Sequence, residues 1–181
     1  MGDAPSDESF FGRFLTKLLS VLRWGQSPEC IFCKIAAGND PSAEIHYHDS
    51  NYVVITDIAP ASKHHYLVIP KEHIRDMKCL DDMHIEMVND MLRIGKQVLE
   101  SRGGKWEHCR NGFHNPPFIS VSHLHMHIIS PESEMSTRMD LTFRPDSYWF
   151  KTTETLLGIL DRMKPPVSQV QSPIDELGDL R

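Results

Sequence analysis

The sequence has no excess of positive charge, no apolar run long enough to cross a bilayer, no repeat of fixed period, and only four cysteines in 181 residues. Each absence removes a class of function. A formal net charge of -6 argues against a surface that is basic throughout, so phosphate would have to be held in a local groove and nucleic acid is not an expected partner. Without a bilayer-length apolar run there is no spanning helix to expect. Without a solenoid period, the chain reads as one domain with appended ends. The first nine residues are acidic, and no clean apolar stretch leads to a small-residue cleavage site. Cys30, Cys33, Cys79 and Cys109 are therefore expected in a reducing compartment, the cytoplasm with nuclear access.

The ends differ in composition from the middle. Residues 1–9 read as a disordered acidic N-terminus, and residues 10–28 as an amphipathic helix and linker. In SFFGRFLTKLLSVLRWG, Phe10, Phe14, Leu18 and Leu22, with Phe11 and Leu15, recur at helical spacing between Arg13, Lys17 and Arg23. Residues 10–24 suit a membrane surface, a protein partner or the domain's own flank, and the spacing does not choose among them. Residues 164–181 hold three prolines and no sustained apolar period, which predicts a flexible tail.

Residues 29–163 carry a coherent pattern. A short helix around IFCKIAAG precedes the strand-like EIHYH and NYVVITDI, the turn APASK and the strand HYLVIP. From Leu80 to Ser101, Met83, Met87, Val88, Met91, Ile94, Val98 and Leu99 mark one helical face, with Asp81 and Asp82 at its start and Gly103-Gly104 at its end. A strand near EHCRNGF, a turn HNPPF, an apolar strand and a last helix in TTETLLGILDRM complete the order. Strands, helix, strands, helix predicts an α+β domain with an antiparallel sheet.

The densest chemistry lies in SHLHMHIIS, where His123, His125 and His127 alternate with Leu124, Met126 and Ile128. On a strand, alternate residues share a face, which gives an imidazole front and an apolar back. His123 and His127 would stand about 13 Å apart along such a strand, too far to share one metal ion. A row of imidazoles instead suits an extended ligand, with one ring attacking while its neighbours donate hydrogen bonds or fix its tautomer. The bland alternative is a set of satisfied core histidines or a polar strip.

SHLHMHII resembles the H-x-H-x-H signature of the histidine triad nucleotide-binding family, and TDIAPASKHHYLVIPKEHI resembles that family's upstream motif. Both stand in the right order over residues 29–163, and GFHNPPFISVSHLHMH is most similar to the Hint branch, which is close to the catalytic domain of aprataxin. The resemblance implies a histidine triad fold, with a five-stranded antiparallel sheet, a long helix and a C-terminal helix. It implies a purine nucleoside phosphoramidase that hydrolyses AMP-amine conjugates such as AMP-NH2 or lysyl-AMP, working as a homodimer or higher oligomer and needing no cofactor for its chemistry. His125 would be the nucleophile. His127, helped by Ser120, would hold a non-bridging phosphate oxygen, and His123 and His65 would support the tautomer and the proton. Asp57 would accept from the ribose hydroxyls with Ile58 against the base, although Asp57 also reads as a plain turn acid. His65 is favoured over His64 because it is in phase with Leu67 and Ile69.

Cys30 and Cys33 form a C-x-x-C that reads either as two buried thiols or as half of a structural zinc site. By resemblance, His65 and His123 would complete that site. The chain departs from the family in having FHNPPFIS where a glycine-rich loop is usual, and Gly112 or Asn111 near the place of a phosphate-contacting asparagine. Leaving-group preference is therefore open. Two rival readings stand beside the phosphoramidase. One is an aprataxin-like hydrolase that removes AMP from DNA ends, and the other a non-catalytic nucleotide-binding scaffold.

Overall fold

The structure, a computed structural model, describes residue 27 and residues 29–165. The expected helix over residues 10–24 and most of the expected tail lie outside the described residues. In chain order the elements are α1 (Ile31–Ala36), β1 (Ile45–His48), β2 (Tyr52–Thr56), β3 (His64–Pro70), α2 (Ile85–Ser101), β4 (Arg110–His114), β5 (Met126–Ser130), α3 (Thr137–Thr142), β6 (Phe150–Thr152) and α4 (Thr153–Asp161). The sheet is antiparallel, in the order β1-β2-β3-β5-β4-β6. It has six strands where five were expected. The added strand, β6, is three residues long and pairs Thr152 with Gly112 and Phe150 with His114 along the outer side of β4. Gly112 makes that pairing possible, because a Cβ there would stand 2.2 Å from the Lys151 carbonyl oxygen.

Strand alternation sorts the core onto two faces. Tyr52, Val54, Tyr66, Val68, Met126 and Ile128 meet Val88, Met91, Ile94, Val98 and Leu99 of α2 on one face. Val53, Ile55, Leu67 and Ile69 meet Phe32, Ile35 and Ala36 of α1 on the other. The five buried α2 side chains each contribute roughly 1.5–3 kcal/mol by leaving water, which makes that face the main anchor of the sheet. Helix α2 starts later than its apolar spacing predicts, at Ile85 rather than Leu80. Asp76 and Asp81 each accept a backbone N–H and hold two 3-10 turns, Met77–Cys79 and Asp82–His84, with buried Leu80 between them. The α1 face is thinly covered, and its open part holds the histidines.

Candidate active site

His127 lies within β5, whereas His123 and His125 precede it, so the three do not share one strand as their spacing predicts. The reason is opposite them. Continuing the β3–β5 register from Val68↔Met126 places Pro70 against Leu124, and a proline has no N–H to extend the ladder. Leu124 N–H turns instead to the Ile74 carbonyl at 2.6 Å, and the Pro70 carbonyl accepts from His123 Nε2 at 2.8 Å. The apolar back is as read: Leu124, Met126 and Ile128 are buried in the α2-side core.

The hydrogen-bond partners fix the tautomers. Ala61 N–H donates to His65 Nδ1 at 3.0 Å, so the His65 proton is on Nε2. That Nε2–H donates to His127 Nδ1 at 2.9 Å, which leaves the His127 proton on Nε2. His127 Nε2 is buried and meets no acceptor among the described residues. It is a donor aimed at a missing partner. His125 donates from Nδ1 to the His123 carbonyl at 2.6 Å, which leaves a free lone pair on His125 Nε2. Two separate sets of bonds thus present a donor on His127 beside a bare lone pair on His125, with ring centroids 5.0 Å apart.

Burial keeps these rings neutral. It pushes His65 and His123 down to about 4, and lowers His125 and, further, His127 from the ordinary histidine value. For His65, the Asp57 carboxylate opposes that shift and the nearby rings of His114 and His125 add to it. A neutral His125 is the form that can attack.

His65 is in the site, and His64 points the other way, with its Nδ1 3.1 Å from the Tyr66 hydroxyl. Asp57 combines both of its readings. Its Oδ1 accepts from Ala59 N–H at 2.8 Å in a local turn, while Oδ2 lies 3.5 Å from His65 Nε2 and 3.9 Å from His127 Nδ1. A cavity of about 490 Å³ opens beside these groups. Phe32, Ile35, Ile55 and Leu67 give it apolar walls, and fully exposed Ile58, Ser120, His125 and His127 border it. Its size and apolar lining suit a nucleoside, with the two triad nitrogens at one end.

The first triad histidine belongs to a second cluster. Cys30, Cys33, His73 and His123 bring one ligand atom each to within 4.8 Å of one another. The expected set named His65 in place of His73, and this is corrected: His65 is committed to His127, whereas His73 reaches in from the loop after β3, with Nδ1 3.2 Å from Cys33 Sγ. His123 Nδ1 stands 3.4 Å from both sulfurs, and its Nε2–H is spent on the Pro70 carbonyl, so a lone pair faces the thiols. Tetrahedral zinc with two sulfur and two nitrogen ligands has an S···N edge of about 3.5 Å, so the donor set fits that ion.

Sequence reading missed His73 and also His114. His114 ends β4, its ring is 5.0 Å from that of His127, and its Nδ1 donates to the Trp149 carbonyl at 3.2 Å. Strand parity held a signal for it. Phe113 is buried in the α2-side core, so Gly112 and His114 take the site face and Asn111 does not. Asn111 therefore faces away from the site, and Gly112 presents no side chain there. His114 fills that flank.

The family model described as scavenger mRNA decapping enzyme C-term binding matches residues 29–141, which include every histidine of both clusters. The chain belongs to that family, the histidine triad family. Among curated family members, it is 45% identical over 136 residues to the adenosine 5'-monophosphoramidase HINT3 of Mus musculus, an alignment spanning 74% of this chain and 82% of that one. Aprataxin of Danio rerio is 35% identical over 98 residues, 54% of this chain and 29% of aprataxin. Among solved histidine triad structures, a HIT family hydrolase from Clostridium thermocellum superposes with a TM-score of 0.54 at 31% identity, covering 57% of this chain and 91% of that one.

Proposed function

We propose that this chain is an adenosine 5'-monophosphoramidase, hydrolysing AMP-amine conjugates to AMP and the free amine through a covalent nucleotidyl-histidine. The observation that carries the reading is the pair of ring nitrogens at the end of the cavity, a lone pair on His125 Nε2 and an unpartnered N–H on His127 Nε2. His125 Nε2 attacks phosphorus, and the electron pair of the P–N bond goes to the amine nitrogen, which takes up a proton and leaves as the free amine. The positive charge on the nucleotidylated ring is shared with the His123 carbonyl through the 2.6 Å Nδ1–H bond. His127 Nε2–H donates to a non-bridging oxygen as charge gathers there, and His65 holds His127 in the donating tautomer. Water then displaces His125 and releases AMP. The nucleoside lies in the apolar cavity with Ile58 at its mouth and Asp57 and Ser120 at its edge. The relative with 45% identity carries the same activity in its name.

The experiment is hydrolysis of an AMP-amine phosphoramidate by the purified chain and by His125→Ala, with an intact-mass search for the adduct. Turnover and an adduct on the wild type, both lost in the variant, support the reading. AMP binding without turnover or adduct on the wild type replaces it with the scaffold reading.

We also propose zinc at Cys30, Cys33, His73 and His123, supported by the S···N distances of 3.2–3.4 Å. Such an ion would supply a cross-link between α1, the loop after β3 and the start of the triad. A second copy of the chain as partner, a membrane or protein contact through residues 10–24, and a cytoplasmic and nuclear location rest on resemblance and composition alone. Sedimentation, liposome flotation and imaging of the tagged chain test them.

A further inference from the structure

Neighbouring residues of β3 serve opposite faces of the sheet. His65 turns to the triad, whereas His64, in phase with Tyr66 and Val68, turns to the face that α2 covers. Just past the end of α2 that face opens into a cavity of about 230 Å³, bordered by Lys63, His64, Lys105, His108, Ser130 and Glu134. It shares no lining residue with the nucleoside cavity.

Hydrogen bonds fix its walls. The β3–β5 pairing sets His64 opposite Ser130. Ser130 Oγ donates to the Lys105 carbonyl at 3.1 Å, and His108 N–H donates to the same carbonyl at 3.2 Å. Ser62 Oγ donates to the Pro131 carbonyl at 2.8 Å, which ties the turn carrying Lys63 to the end of β5. Three segments distant in sequence are thereby held around one hollow.

The hollow is rich in donors. The Tyr66 hydroxyl, 3.1 Å from His64 Nδ1, has no other acceptor among the described residues, so it donates there and the His64 proton stays on Nε2. Burial, and after it the Lys63 charge, lowers the proton affinity of His64, with Glu134 opposing. No extra proton is needed, because the neutral ring donates from Nε2. Lys63 and Lys105 add two ammonium groups. Neither is paired with a carboxylate among the described residues, whereas Arg75, Arg93, Lys96, Arg110 and Lys164 each lie against one. Glu134 is the one acid on the border, so two cations against one carboxylate leave an excess of one positive charge.

Donors with local positive charge suit a small oxyanion, and the single carboxylate asks for one donor in return. Hydrogen phosphate carries one O–H, whereas sulfate at neutral pH carries none. The volume lies below the roughly 300 Å³ at which pockets for drug-sized ligands begin, so a compact ion fits better than a nucleotide. We propose that this cavity is an inorganic phosphate site on the face away from the triad. Lys63, Lys105 and His64 Nε2–H hold the bare oxygens, and Glu134 accepts the O–H of hydrogen phosphate. The site stands whether or not the phosphoramidase reading does.

The test is a titration of the full-length, isotope-labelled chain with sodium phosphate and, separately, with sodium sulfate, at constant ionic strength and followed by amide chemical shifts. With phosphate, the amides of Lys63, His64, Lys105, His108 and Ser130 are expected to move and saturate. Sulfate is expected to bind about tenfold more weakly, because it leaves Glu134 facing an oxyanion without a shared proton. Combining Lys63→Gln with Lys105→Gln should weaken phosphate by at least about tenfold. Glu134→Gln should bring sulfate within about threefold of phosphate. All three substituted positions are exposed, and the remainder of each spectrum reports that the fold is kept. Movement confined to amides around His125 and His127, movement that does not saturate, sulfate bound as tightly as phosphate by the wild type, or an unaffected lysine variant each overturns the site.

Discussion

His123 and His127 are four residues apart, of the same type and both nearly fully buried, yet they face different chemistries. His123 turns a lone pair toward two thiols and His73, whereas His127 turns a proton toward an open cavity. The difference lies in what stands opposite each ring. Pro70 offers a carbonyl without an N–H and so fixes His123 as an acceptor at Nδ1. His65, itself fixed by Ala61, makes His127 a donor at Nε2. Three identical side chains at equal spacing become an acceptor facing two thiols, a ring with a bare Nε2 lone pair and a donor with no partner among the described residues, through one hydrogen bond each.

The sharpest break in the comparison is at the reactive end. His127→Gln is expected to lower kcat by about 10³ while the melting temperature moves only a few degrees, read by single-turnover kinetics and thermal denaturation. At the anchoring end the order reverses. His73→Ala removes one donor of the Cys30, Cys33 and His123 set, and is expected to cost about 3 kcal/mol, near 10 °C in melting temperature, and bound zinc by elemental analysis, with kcat reduced less than about tenfold. If His73→Ala instead lost kcat as deeply as His127→Gln with its stability unchanged, the two ends would be one site. Acid gives a third handle. Burial favours neutral rings in the folded state, pushing His65 to about 4, while unfolded histidines take protons near 6.5. Stability from these rings is full above pH 6.5 and is lost as pH falls toward 4, so the melting temperature should drop between pH 7 and pH 5. A flat profile across that window would falsify the neutral-ring account. The smallest effect is expected far from both ends. In Gly95→Ala the new Cβ would meet Ile128 Cδ1 at 2.7 Å, which should cost about 1–2 kcal/mol by overpacking α2 on β5 and leave KM unchanged.

Much of this was legible where periodicity carries information. Alternation in HHYLVIP places His65 with Leu67 and Ile69, and that face holds the site. The apolar stripe of α2 appears as read, apart from the turns before Ile85, where Asp76 and Asp81 win their local hydrogen bonds over helix propagation. What failed to show was set by contacts distant in sequence. The C-x-x-C meets one histidine 40 residues from Cys33 and another 90 residues away, and nothing in the spacing selects His73 over His65. Strand β6 is too short to leave a period, so the sheet was undercounted by one. His114 was hidden by its neighbours, because Pro116 and Pro117 drew the segment toward a turn while Phe113 alone marked its parity.

The bond between His114 and the Trp149 carbonyl links an active-site wall to a segment 35 residues further along the chain. All three triad histidines precede that segment. During synthesis the ribosome therefore completes the triad first and its β4 flank later, so a nascent or clipped chain that stops before Trp149 carries the full H-x-H-x-H signature with His114 unbraced. Such fragments would look intact to any probe of the triad sequence. Restoring residues 145–165 in trans, as a separate peptide, is the corresponding way to ask whether the brace acts only when covalently attached.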